Sequence, residues 1–208
     1  MKKLSLLLLT SMFLGSIFFY SVLPAKMPMH WNINGQIDNY MRKNVAVALL
    51  PLLAAGMFIL FKAIPQIDPK KKKYKLFKKE WEIIQTTLIG FFAYIHFAIF
   101  LVSIKPEISF VPILFFGLGI LFIIIGSYLP KIKQNYFVGI KIPWTLSSVD
   151  NWNKTHKFGG TCFVISGIII LLEAIFFWNA PLIIFCSIFL TVILPIVYSY
   201  IIFSSSRS

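Results

Sequence analysis

Three groups of residues in this chain have the types and spacing to do chemistry. The first is a polar stretch holding His30, Trp31, Asn32, Gly35, Asp38 and Tyr40. Within it Asn34-Gly35 is a turn signal, because both residues tolerate positive φ. A turn there can fold Asp38 back toward His30, which suits a metal ion or a pH-sensitive contact. Two candidate ligands fall short of a metal site, which takes three or four. The competing reading is a folded loop that caps a helix bundle, with His30 and Trp31 at its interface.

The second group lies between residues 130 and 160. It contains Asn135, Gly139, Lys141, Pro143, Trp144, Thr145 and Leu146, followed by Trp152 and His156. Pro143 biases Ile142 toward extended backbone. Ser147 and Asp150 have the spacing of a helix-capping pair, and Gly159-Gly160 can stop the helix they start. Val149, Trp152 and His156 then fall near one face. The expected element is a short amphipathic helix on the inner leaflet before the fifth span. A plain re-entry helix feeding that span is the alternative. Lys141 is left as a cation beside the Trp144 ring, able to meet an acidic partner or a lipid phosphate. The third group is His96 and Glu173, set inside apolar runs. At about 1.5 Å of rise per residue they reach similar depths. Ionisable groups at that depth face the bundle interior or water. They either pair, or line an outer cavity, or simply reach the headgroups.

The usual enzymatic signatures are missing. There is no phosphate loop, no Gly-x-Gly-x-x-Gly, no His-Glu-x-x-His and no Gly-x-Ser-x-Gly. The expectation is a protein that is not an enzyme and uses neither cofactor nor metal.

The elements that must carry these groups follow from composition. Of 208 residues, 58% are hydrophobic and 13% charged, where a soluble domain carries roughly a quarter charged. A bilayer core needs about 20 apolar residues as helix. Six runs approach that length: 4–23, 45–61, 83–102, 111–129, 161–178 and 181–203. None alternates as barrel strands do. Helix is expected because backbone polar groups must pair with each other inside lipid. The first run is as long as a full span, and Pro24 and Lys26 stand where a signal peptide has small residues, so a retained helix is expected. The fold class is therefore all-α: a polytopic membrane protein with six transmembrane helices and both termini cytoplasmic.

Charge sets that orientation. With the N-terminus inside, the inner segments hold sixteen Lys and Arg residues and the outer ones four, Lys26, Arg42, Lys43 and Lys105. The positive-inside rule favours this arrangement. The net charge of +13 thus sits beside spans, where lysines meet anionic lipid headgroups. Membrane lipids are the expected partner, and nucleic acid is not. The run 70–79 reads as a lipid anchor or a dock for an acidic cytoplasmic protein. Cys162 and Cys186 fall in different spans at opposite depths, so no disulfide is expected. Pro51 and Pro195 should kink their helices, and Gly117, Gly119 and Gly126 offer a small-residue packing surface. Organisation is read as three stretches: 1–62, two helices with the outer loop; 63–110, the lysine-rich loop and third helix; and 111–208, the last three helices.

The two loops together resemble the SdpI family of bacterial toxin-immunity membrane proteins. The outer loop matches a Pro-x-His-aromatic-Asn pattern through Pro28, His30, Trp31, Asn32, Gly35, Asp38 and Tyr40. The inner loop matches through Gly126, Pro130, Lys131, Lys133, Asn135, Gly139, Pro143, Trp144, Thr145, Leu146, Trp152 and His156. Ser127, Lys141 and Ile142 depart from the family's asparagine, arginine and threonine. Lysine cannot reproduce arginine's planar fork, so a carboxylate gripped there would be held differently. The resemblance implies a multi-pass protein of the bacterial cytoplasmic membrane giving resistance to a secreted antimicrobial peptide or protein toxin. It also implies a cytoplasmic transcriptional repressor as a partner. A transporter of a small amphipathic molecule, with His96 and Glu173 in its path, is the alternative.

Overall fold

The computed structural model describes residues 1–32 and 34–206. Arg207, counted above among the inner cations, lies outside the described residues. Six helical segments are long and apolar enough to cross a membrane: Lys2–Phe19, Lys43–Ile67, Lys71–Ile104, Phe110–Lys131, Val149–Phe176 and Ala180–Ser205. Large apolar side chains such as Phe18, Ile17 and Phe185 stand about three-quarters or two-thirds exposed, at 77%, 75% and 68%. A water-soluble surface does not tolerate a belt of this kind, whereas lipid does. The protein is a multi-pass membrane protein.

The chain begins with α1 (Lys2–Phe19) and then turns into a β-hairpin, β1 (Lys26–Trp31) and β2 (Ile37–Arg42). The hairpin amends the all-α expectation. The Asn34-Gly35 turn does form, with Gly35 at φ +76°. Asn32 stabilises it by accepting from the backbone N–H groups of Asn34 and Gln36, each at 3.0 Å. Next come α2 (Lys43–Ile67), a 3-10 turn over Lys71–Phe77 and α3 (Lys78–Ile104). α4 (Phe110–Tyr128) leads to the long loop, which contains the five-residue α5 (Pro143–Ser147). α6 (Val149–Phe176) follows, and then α7 (Ala180–Ile188) and α8 (Leu194–Ser205), joined by a π-helical turn over Phe189–Ile193. The π turn sits just before Pro195. A wider turn there accommodates a ring that lacks a backbone donor and would clash with the carbonyl four residues back.

The separate amphipathic helix before the fifth span is not what forms. α6 runs unbroken from Val149 through Gly159 and Gly160 to Phe176. Its cap is Ser148, which accepts from the Asn151 N–H at 3.2 Å, while Ser147 turns back on the Trp144 carbonyl. The glycines serve packing instead of termination. A Cβ on Gly160 would stand 2.7 Å from the Gly126 carbonyl, and one on Gly126 would stand 2.6 Å from that of Gly160. Gly119 and Gly167 repeat this reciprocal approach seven residues along each helix, at 2.8 and 2.7 Å. Without a hydrophobic effect to drive helices together in lipid, such close backbone contact is what holds α4 on α6.

Candidate functional site

Polar chemistry gathers at the two ends of the bundle. At one end the hairpin lies over the helices. Met27 is fully buried, and Trp31 stacks on Phe110 with centroids 4.0 Å apart. The Lys43 ammonium ties the hairpin's exit to α1 by donating to the Tyr20 and Leu23 carbonyls at 2.9 and 3.0 Å. A cation belongs at a helix C-terminus, where carbonyls are unpaired. The turn brings His30 and Asp38 together, with Nδ1 to Oδ1 at 2.5 Å. Both side chains are exposed, at 65% and 42%, and Tyr40 also faces out. Among the described residues no group of three His, Cys, Asp or Glu could hold a metal. Beneath the hairpin is a cavity of about 450 Å³, roofed by Met29, His30, Trp31 and Asn32 and walled by α2, α3, α4 and α7. Its size is that of a small-molecule or side-chain pocket, and its lining is apolar with a polar lip.

At the opposite end, the long loop folds into a dense buried network. Asn135 is fully buried. Its amide donates to the Lys133 and Val138 carbonyls at 2.9 and 3.0 Å, and its oxygen accepts from the Phe137 and Val138 N–H groups at 2.8 and 2.7 Å. Thr145 accepts from Ile142 N–H at 3.1 Å and donates to the Ile140 carbonyl at 2.7 Å. Trp152 donates its indole N–H to the Ile132 carbonyl at 2.8 Å and stacks on His156, centroids 3.9 Å apart. His156 uses both ring nitrogens. Nδ1 meets the Trp152 carbonyl at 2.8 Å and must donate, while Nε2 meets the Ile140 N–H at 3.0 Å and must accept. The two bonds together define the neutral Nδ1–H tautomer. Gly139, at φ +114°, lets the chain pass directly over that ring. A Cβ there would collide with His156 Nε2.

Three residues that were not among the sequence candidates complete the network. Asp68 is buried. One oxygen accepts from Lys70 N–H at 2.6 Å, and the other from the Tyr74 hydroxyl and Tyr136 N–H at 3.0 and 3.1 Å. The Tyr74 hydroxyl also stands 3.3 Å from Asn135 Oδ1. Gln134 donates to the Thr145 and Leu146 carbonyls and accepts from the Lys70 ammonium at 2.7 Å. The signal for Asp68 was present: it is one of only seven acidic residues and opens the lysine run that Glu80 closes.

The nine candidates of this loop therefore split. Asn135, Thr145, Trp152 and His156 are internal struts, with Gly139 fitted against them. Lys141 and Pro143 are exposed, and Leu146 is half-buried. Trp144 lies half-buried against Tyr200 of α8, centroids 5.1 Å apart. The Lys141 ammonium donates to the Phe137 carbonyl at 2.8 Å.

His96 and Glu173 are not brought together. No hydrogen bond or ion pair joins them among the described residues. His96 is buried with Ser16 of α1 at 3.2 Å and against the Phe100 ring. Glu173 is buried as well, but its carboxylate is occupied at the α6–α7 turn. There it accepts from the Trp178 and Asn179 N–H groups at 3.0 and 3.2 Å, beyond the left-handed Phe177. Amides freed by that turn need an acceptor, and in lipid no water supplies one.

Comparison with known proteins divides the chain along the same line. Residues 6–55, which carry the hairpin, match a domain described only as a domain of unknown function (DUF1648). Residues 131–199, which carry the buried network, match the SdpI/YfhL protein family. Over 178 residues the chain is 26% identical to the immunity protein SdpI of Bacillus subtilis (strain 168), covering 85% of this chain and 83% of that protein. No solved structure matches. With six apolar helices and these similarities in hand, the chain is placed as a multi-pass membrane protein whose residues 131–199 match the SdpI/YfhL protein family.

Proposed function

We propose that this protein gives immunity to a secreted antimicrobial peptide or protein toxin at the bacterial cytoplasmic membrane. The observation that carries the reading is similarity over most of both chains to a protein named for immunity. The hairpin end is the outer one, because the lysines concentrate at the other. Its exposed His30–Asp38 pair and the cavity below provide a polar lip and an apolar slot. That combination suits a peptide that is itself partly apolar. Ligand binding there can shift the helices only if one packing binds better than another. On the inner side, Lys141, Pro143 and Trp144 form the face available to a repressor, since Asn135, Thr145, Trp152 and His156 are internal.

The test is expression in a toxin-sensitive host challenged with candidate secreted peptides. Wild-type protein should protect. His30→Ala and Asp38→Asn should accumulate normally and protect poorly, while Lys141→Ala and Trp144→Ala should lose repressor recruitment. Proteoliposomes loaded with labelled peptide should show no flux. Flux through wild-type protein would instead establish a transporter.

A further inference from the structure

We propose that the lysine end of the bundle contains a discrete binding site for the phosphate headgroup of an anionic phospholipid. The run 70–79 does not behave as one diffuse patch. Lys70 turns toward the long loop, bonding Gln134 and lying over the Tyr136 ring. Lys73 reaches the same Gln134 oxygen at 3.5 Å. Lys71, Lys75 and Lys78 fall on another face of the 3-10 turn and the start of α3, and there they border a cavity of about 440 Å³. Lys2 from the start of α1 and Lys62 from the last turns of α2 border it too. Lys62 is held over the Phe58 ring at 4.2 Å. None of these five ammonium groups has a carboxylate partner within salt-bridge distance among the described residues. Among the described residues Glu82 is the one acidic group in the lining.

The walls identify the ligand class. Phe61, Tyr74 and Trp81 are buried and line the same cavity, packed edge to face with centroids 5.4 and 5.6 Å apart. The lysines come from the ends of three spans, so the cavity lies where lipid headgroups meet acyl chains. Ammonium groups above an aromatic wall at that depth fit a phosphodiester whose chains continue into the bilayer. A soluble acidic protein would not need the apolar wall. Tyr74 also joins this cavity to the loop network, since its hydroxyl bonds Asp68 beside Asn135. An occupied site therefore braces the SdpI-like loop from beneath.

The experiment uses the full-length protein in neutral detergent, titrated with phosphatidylglycerol or phosphatidylcholine and read by native mass spectrometry and thermal melting. Phosphatidylglycerol should bind and raise the melting temperature, and phosphatidylcholine should not. A Lys71→Gln/Lys75→Gln/Lys78→Gln variant should lose at least about tenfold in affinity, given about 1 kcal/mol per lysine at a lipid surface. Lys2→Gln/Lys62→Gln, which alters the other two helices, should show a similar loss. A control with as many exposed cations removed, Lys79→Gln/Lys133→Gln/Lys157→Gln, should change affinity less than about twofold. Equal losses in all variants would mean diffuse attraction and overturn the site. Inorganic phosphate raising the melting temperature as much as the lipid would make it a free-anion site. A glutamate-rich peptide displacing the lipid at lower concentration would make it a protein dock.

Discussion

The two ends of the bundle carry similar densities of histidine, tryptophan, asparagine and glycine, yet they use them in opposite ways. In the hairpin, the His30 and Asp38 side chains bond to each other and remain open to solvent. At the other end, Asn135 and Thr145 of the 131–147 loop and His156 of α6 are fully buried, with partners on nearly every polar atom. A buried polar group without a partner costs far more than an exposed one, so the loop is committed to a single shape. The hairpin is not. Motif density alone does not separate a surface that meets a ligand from a scaffold that holds one. Burial does.

Several substitutions can break or sharpen this contrast. The largest effect should come from Gly139→Ala. Strain at positive φ and the collision with His156 together should cost at least about 3 kcal/mol. Thermal melting in detergent should show it, and a melt unchanged from wild type would contradict the packing described. Asn135→Ala comes next. It strands the Phe137 and Val138 N–H groups in a buried site and should cost about 2–4 kcal/mol. Asp68→Ala removes the acceptor shared by Tyr74, Lys70 and Tyr136, and about 2–3 kcal/mol is expected. The hairpin pair should stand apart from these. His30→Ala or Asp38→Asn should shift stability by less than about 1 kcal/mol, as exposed pairs do. Any large loss in those variants should be one of protection alone. If they melt early instead, the contrast between the ends is wrong. Lys141→Ala should be smallest, within about 0.5 kcal/mol, since it gives up one exposed bond.

The six spans and the hairpin turn were legible in the chain. The hairpin's strands were not, because His30 and Asp38 read as loop chemistry. The end of the inner helix was misread. Gly159-Gly160 looks like a stop when considered locally, and only the presence of Gly126 across the interface makes it a packing surface. Matched depth also suggested a His96–Glu173 pair. The helix turn at Phe177 had the stronger claim on the carboxylate, because its freed amides are adjacent in sequence.

Membrane class, span number and turn position depend on contiguous residues: an apolar run of bilayer length, or two neighbours that accept positive φ. These the amino-acid sequence determines by itself. Which polar residue meets which partner depends on how helices distant in the chain pack together. Asp68 with Tyr136, Trp152 with Ile132, and Lys71 with Lys2 and Lys62 are joined across long separations. Only the tertiary structure decides them, because the packing of helices distant in the chain sets where each end of the bundle converges.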